Sequence, residues 1–102
     1  MTISDLPGLP ERTEAEYEHQ RQAQLKILDF LIARGAEAKA DALATIRNPQ
    51  AREVEVIRAR GALGSISPRL ADERYLAAGL RSGELDPWDD ALIDLFGTDL
   101  LP

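Results

Sequence analysis

The stretch Leu25-Lys26-Ile27-Leu28-Asp29-Phe30-Leu31-Ile32-Ala33-Arg34-Gly35 decides how this chain reads. On a helix turning about 100° per residue, Leu25, Leu28, Leu31 and Ile32 share one face. Ile27 and Phe30 border that face, while Lys26, Asp29 and Ala33 lie opposite. The arc is wider than a two-position seam, so this helix is expected to bury itself against several neighbours. Gly35 follows the last apolar turn, where helices commonly end in a left-handed cap.

Upstream, Thr13 and Glu16 have the spacing of a capping box, and Glu14, Glu16 and Glu18 suit the positive end of a helix dipole. From residue 13 to residue 24 the only large apolar side chain is Tyr17. That half is expected to lie outside the core, in solvent or against a partner. The prediction is one long helix over about 14–34, closed by Gly35. Before it, residues 1–12 carry two prolines and a glycine and read as an extended arm. Ile3, Leu6 and Leu9 give that arm apolar groups with which to dock.

Downstream, residues 37–47 carry Ala38, Ala42, Leu43 and Ile46 and predict a second helix. Asn48-Pro49, Ser67-Pro68 and Asp86-Pro87 each set an N-cap residue before a proline at the first helical position. They predict helices over 49–60, 68–80 and 87–96. The pairs are 19 residues apart, but three short copies are too few to establish a repeat. Glu53-Val54-Glu55-Val56-Ile57 alternates as a strand would, whereas the Asn-Pro start and the Ala and Arg content favour helix. The expected fold is all-α: a single small domain over 13–102 with about five helices, one long N-terminal helix (about 14–34) followed by four short ones.

Composition excludes several functions. The chain has 102 residues, enough for one domain, and no cysteine. Disulfides, thiolate metal sites and a cysteine nucleophile are therefore absent. No apolar run approaches the roughly 20 residues that span a bilayer. The N-terminus is acidic, so neither a membrane nor a secretory signal is expected and the expected compartment is cytoplasmic. Net charge is −6, unevenly spread. Both ends are acidic, and the segment 47–75 gathers Arg47, Arg52, Arg58, Arg60, Arg69 and Arg74 against four acidic residues.

Catalytic chemistry finds little support. His19 is the one histidine, three residues after Glu16. Glu-x-x-His suits a di-metal bundle, but such a site needs a second histidine motif and further glutamates. Gly61 to Gly64 is too sparse for a phosphate loop and no lysine follows it. No carboxylate pair stands in an apolar setting. The expectation is a non-enzymatic protein with no cofactor and no metal.

What remains is binding. Trp88, Leu92 and Leu95 line one face of the acidic C-terminal segment, with Ile93 and Phe96 to either side. That is the pattern of a helix laid into a groove, or of one that closes its own core. Tyr17, Trp88, Leu92, Leu95 and Phe96 are therefore the candidate protein-binding residues. The expected role is that of an accessory or assembly subunit, an inhibitor, or a component of a larger particle, with a protein partner and homo-oligomerisation plausible. The alternative is a helix-turn-helix-like DNA regulator reading duplex through Arg47, Arg52, Arg58 and Arg60.

Overall fold

The computed structural model describes residues 12–97, and its architecture is a long antiparallel helical hairpin with a short third helix laid across one end. Helix α1 spans Glu14–Arg47, α2 spans Glu53–Ser82 and α3 spans Asp90–Phe96. No strand occurs among the described residues, and 53–57 is helical. At 1.5 Å per residue the 34-residue α1 is about 51 Å long. A Cα radius of gyration of 19.1 Å, against about 13 Å for a compact domain of this size, marks an elongated molecule.

The expected five helices, one long and four short, are thus corrected to three, two of them long. At three punctuation marks the chain departs from its local preference, each for a different reason. Gly35 does not end a helix: α1 runs through it into the predicted second helix, on a run of helix formers from Ala36 to Ala40. A Cβ at Gly35 would stand 3.2 Å from Leu70 Cδ1, so this glycine lets α2 approach. Pro68 does not start a helix but sits inside α2. The predicted helices 49–60 and 68–80 therefore belong to one element, whose inner seam passes Pro68 unbroken: Ala59, Leu63, Ile66, Leu70, Glu73, Ala77 and Leu80 are buried or half-buried against α1.

Pro87 also fails to start its helix. Asp86 Oδ1 accepts from the Trp88 N–H at 2.8 Å, forming a turn, and Asp89 caps α3 by accepting from the Ala91 N–H at 3.1 Å. Only Asn48-Pro49 breaks the chain. Asn48 adopts φ −80° and ψ 114°, the extended backbone forced before proline, and α1 stops there rather than α2 beginning. The three pairs play three unlike parts, so their equal spacing is not a structural repeat. The expected arm over 1–12 lies outside the described residues except for Arg12.

The true end of α2 is Gly83, whose φ of 82° is the left-handed cap. The Leu85 N–H returns to the Gly79 carbonyl at 3.0 Å, folding Leu85 onto Gly79, where a Cβ would stand 2.6 Å from Leu85 Cγ. That sharp reversal sends the chain back over the hairpin. Leu92 then enters a cluster with Leu25, Leu28, Ala77 and Leu80, and Ile32, Leu76, Leu85 and Phe96 close its edges. Arg81 pairs with Asp29 beside it. Large apolar groups concentrate at this end, called the base here; toward the turn at 48–52 the buried contacts are Ala42 and Ala59.

Candidate functional site

The residues expected to bind a partner fall mostly at the base, where they hold the protein together. Thr13 and Glu16 form the capping box: Thr13 Oγ1 accepts from the Glu16 N–H at 3.1 Å, and Glu16 Oε1 accepts from the Thr13 N–H at 3.2 Å. The start fixed there sets the faces of the first turns. Tyr17 meets Trp88 edge-on with centroids 5.0 Å apart and donates its hydroxyl to Asp86 Oδ2 at 2.8 Å. The Arg12 guanidinium lies 4.0 Å from the Trp88 ring centroid, within cation–π reach.

Leu92 is wholly buried in the core, and Phe96 is half-buried against it. Trp88 is half-buried in the Tyr17 contact. Of the five candidates Leu95, 47 % exposed, is the most open to solvent. His19 is exposed, and no three His, Cys, Asp or Glu residues converge on a metal-sized site among the described residues.

The polar half of α1 does not lie wholly outside the core, where its composition placed it. Gln20 and Gln24 are both fully buried. Gln24 Nε2 donates to the Pro87 carbonyl at 2.7 Å, pinning the turn before α3 to the hairpin. Replacing Gln24 by Ala leaves that carbonyl buried and unpaired, and should cost about 1–3 kcal/mol. Urea titration of both chains checks this; Gln24→Ala matching the parent midpoint would show the bond adds nothing.

Tyr17 adds a pH dependence. The hydrogen bond to Asp86 raises its pKa above the ordinary 10.0; burial and the Asp86 charge act in the same direction, and Arg12 opposes them. A phenol whose folded pKa is raised contributes stability that is present below the unfolded pKa and lost as pH climbs through the folded one. Above about pH 10 the melting temperature should therefore fall more steeply for the parent than for Tyr17→Phe. Parallel slopes would rule the contribution out.

The alternative set of arginines is dispersed. Arg47 closes α1, and Arg52 precedes α2 with its Nε 2.8 Å from Glu55 Oε1. Arg58 and Arg60 stand two positions apart on α2, about 200° around the helix. The three-helix frame expected for DNA reading does not form, since residues 37–47 continue α1.

The surface that sequence reading missed is the outer face of α2. Positions 54, 57, 61, 64, 68, 71, 75, 78 and 82 alternate steps of three and four, and they carry Val, Ile, Gly, Gly, Pro, Ala, Tyr, Ala and Ser. All nine are exposed and none is charged. Val54, Ile57 and Tyr75 are the most exposed large apolar residues of α2, at 46 %, 60 % and 72 %, and all three lie on this line. It runs opposite the inner seam, so α2 carries two seams and α1 covers one. The signal was in the sequence, but it becomes legible only once Gly61, Gly64 and Pro68 belong to one helix. Comparison with protein-family models, with curated proteins and with solved structures finds no match.

Proposed function

We propose that this chain is a non-enzymatic binding protein that assembles with another protein chain through the outer face of α2. The observation that supports this is the uncharged line from Val54 to Ser82. Exposed large apolar side chains aligned on one uncharged face, as Val54, Ile57 and Tyr75 are, mark association surfaces. The hairpin, locked at its base by Leu92, Gln24 and Tyr17, presents the stripe on a rigid rod about 40 Å long.

The test is retention of proteins from the source lysate by the immobilised full chain, with and without nuclease, beside a Tyr75→Asp variant. A protein held through nuclease and moderate salt by the parent, and lost by Tyr75→Asp, supports this reading. Equal retention by both chains overturns it. Loss of every retained protein on nuclease treatment transfers the function to nucleic acid and to Arg47, Arg52, Arg58 and Arg60.

A further inference from the structure

Resting on that reading, we infer that the occupant of the α2 outer face is a second copy of this chain, packed antiparallel so that α2 lies on α2 about a two-fold axis near residue 66. The first argument is the glycines. Of the six among the described residues, four have a use within the monomer. Gly35 admits Leu70, Gly79 admits Leu85, and Gly83 and Gly97 take positive φ. A Cβ at Gly61 or at Gly64 would meet nothing within 4 Å. A glycine inside a helix costs about 1 kcal/mol relative to alanine. Nothing in the monomer accounts for either, and both lie on the outer line, where absent side chains let two helix backbones approach closely.

The second argument is that the line is complementary to its own reverse. In the antiparallel register where partner positions add to 132, Ile57 meets Tyr75 of the other copy at both ends of the contact. Val54 meets Ala78, Gly61 meets Ala71, and Gly64 meets Pro68. Each large side chain thus meets one across the interface or a small one with room for it, and the small residues gather at the centre where the helices are closest. A two-fold contact requires this reciprocity, residue i on j and j on i.

The flanks carry charges on both sides, and among the described residues Arg58, Arg60, Asp72 and Arg74 make no ion pair within the chain. The two-fold sets each flank against the same flank of the other copy, where side chains two residues off the seam register come nearest, so Arg58 of each copy faces Asp72 of the other, which favours pairing. On the opposite flank Arg60 faces Arg74, which opposes it. The long arginine side chains can turn outward into water, so the repulsion is partial. It also provides a handle: Arg60→Glu converts two repulsive pairs into two attractive ones in the antiparallel register alone. A parallel pair would set residue 60 against Ser65 instead.

Sedimentation equilibrium of the full chain over micromolar concentrations is the experiment, on the parent, Gly64→Leu and Arg60→Glu, each checked for helix content by circular dichroism. The Gly64 position touches nothing within the monomer, so Gly64→Leu keeps the fold. The expected result is a parent monomer–dimer equilibrium, weakened at least about tenfold by Gly64→Leu and tightened by Arg60→Glu. The chain has no cysteine, so register is read by mild oxidation of substituted chains. Ile57→Cys combined with Tyr75→Cys should give a covalent dimer, and Ile57→Cys alone should not. A parent that stays monomeric, a dimer indifferent to Gly64→Leu, or cross-linking by Ile57→Cys alone each overturns the inference. A monomeric parent whose lysate partner is still lost by Tyr75→Asp would leave the proposed function standing with a different chain as occupant.

Discussion

Leu28→Ala should destabilise the protein by about 2–5 kcal/mol, the cost of a large-to-small change where the site cannot collapse. Leu28 is fully buried at the meeting point of all three helices, touching the cluster of Leu25, Ala77, Leu80 and Leu92. Outside this cluster the hairpin has Leu70 as a large buried apolar group, while toward the turn it buries Ala42 and Ala59. A loss of that size is a sizeable part of the whole stability of a domain this small. Thermal and urea unfolding followed by circular dichroism measure it. A change below about 1 kcal/mol would mean that the cluster is not where the fold is held.

Pro68→Ala should act in the opposite direction, stabilising by up to about 3 kcal/mol. Proline inside α2 supplies no N–H to the Gly64 carbonyl and its ring crowds that same carbonyl, four residues before it. Alanine restores the bond and is the best helix former. Pro68 is exposed, so no packing is lost. Because it lies on the outer line, the comparison belongs in a Tyr75→Asp background, where association does not add to apparent stability. An unchanged melting temperature there would show that α2 already relieves the proline locally at no cost.

Why Pro68 stands there despite its cost bears on what the sequence could reveal. Local signals were legible where local chemistry decides. The Thr13–Glu16 box starts α1, and Leu25 and Leu28 reach the core from the face that their spacing assigns. Gly35, Pro68 and Pro87 misled because their local preference was overridden by contacts distant in sequence. Gly35 is held helical against Leu70, Pro68 by an inner seam spanning Ala59 to Leu80, and Pro87 by Gln24 on α1. The same error hid the candidate site. With α2 cut into two pieces, Ile57 and Tyr75 stand on unrelated helices and no common line exists. Gln20 and Gln24 show the converse limit: polar residues read as solvated can be buried when a carbonyl from another element, here Pro87, comes within reach.

The uneven filling of the hairpin has a consequence for how the chain could be divided. The apolar lock sits where the helix ends are open, and the covalent link at residues 48–52 sits where the buried contacts are alanines. Connectivity and cohesion are thus at opposite ends of the rod. Severing the backbone in that link removes no contact of the Leu28 cluster, and leaves one fragment with α1 and another with α2 and α3. Each fragment carries half of the lock: Leu25 and Leu28 on one side, Ala77, Leu80 and Leu92 on the other. The molecule is thus built as two complementary pieces joined away from their lock, and separately made halves are expected to regain helix on mixing, which circular dichroism of the two fragments checks.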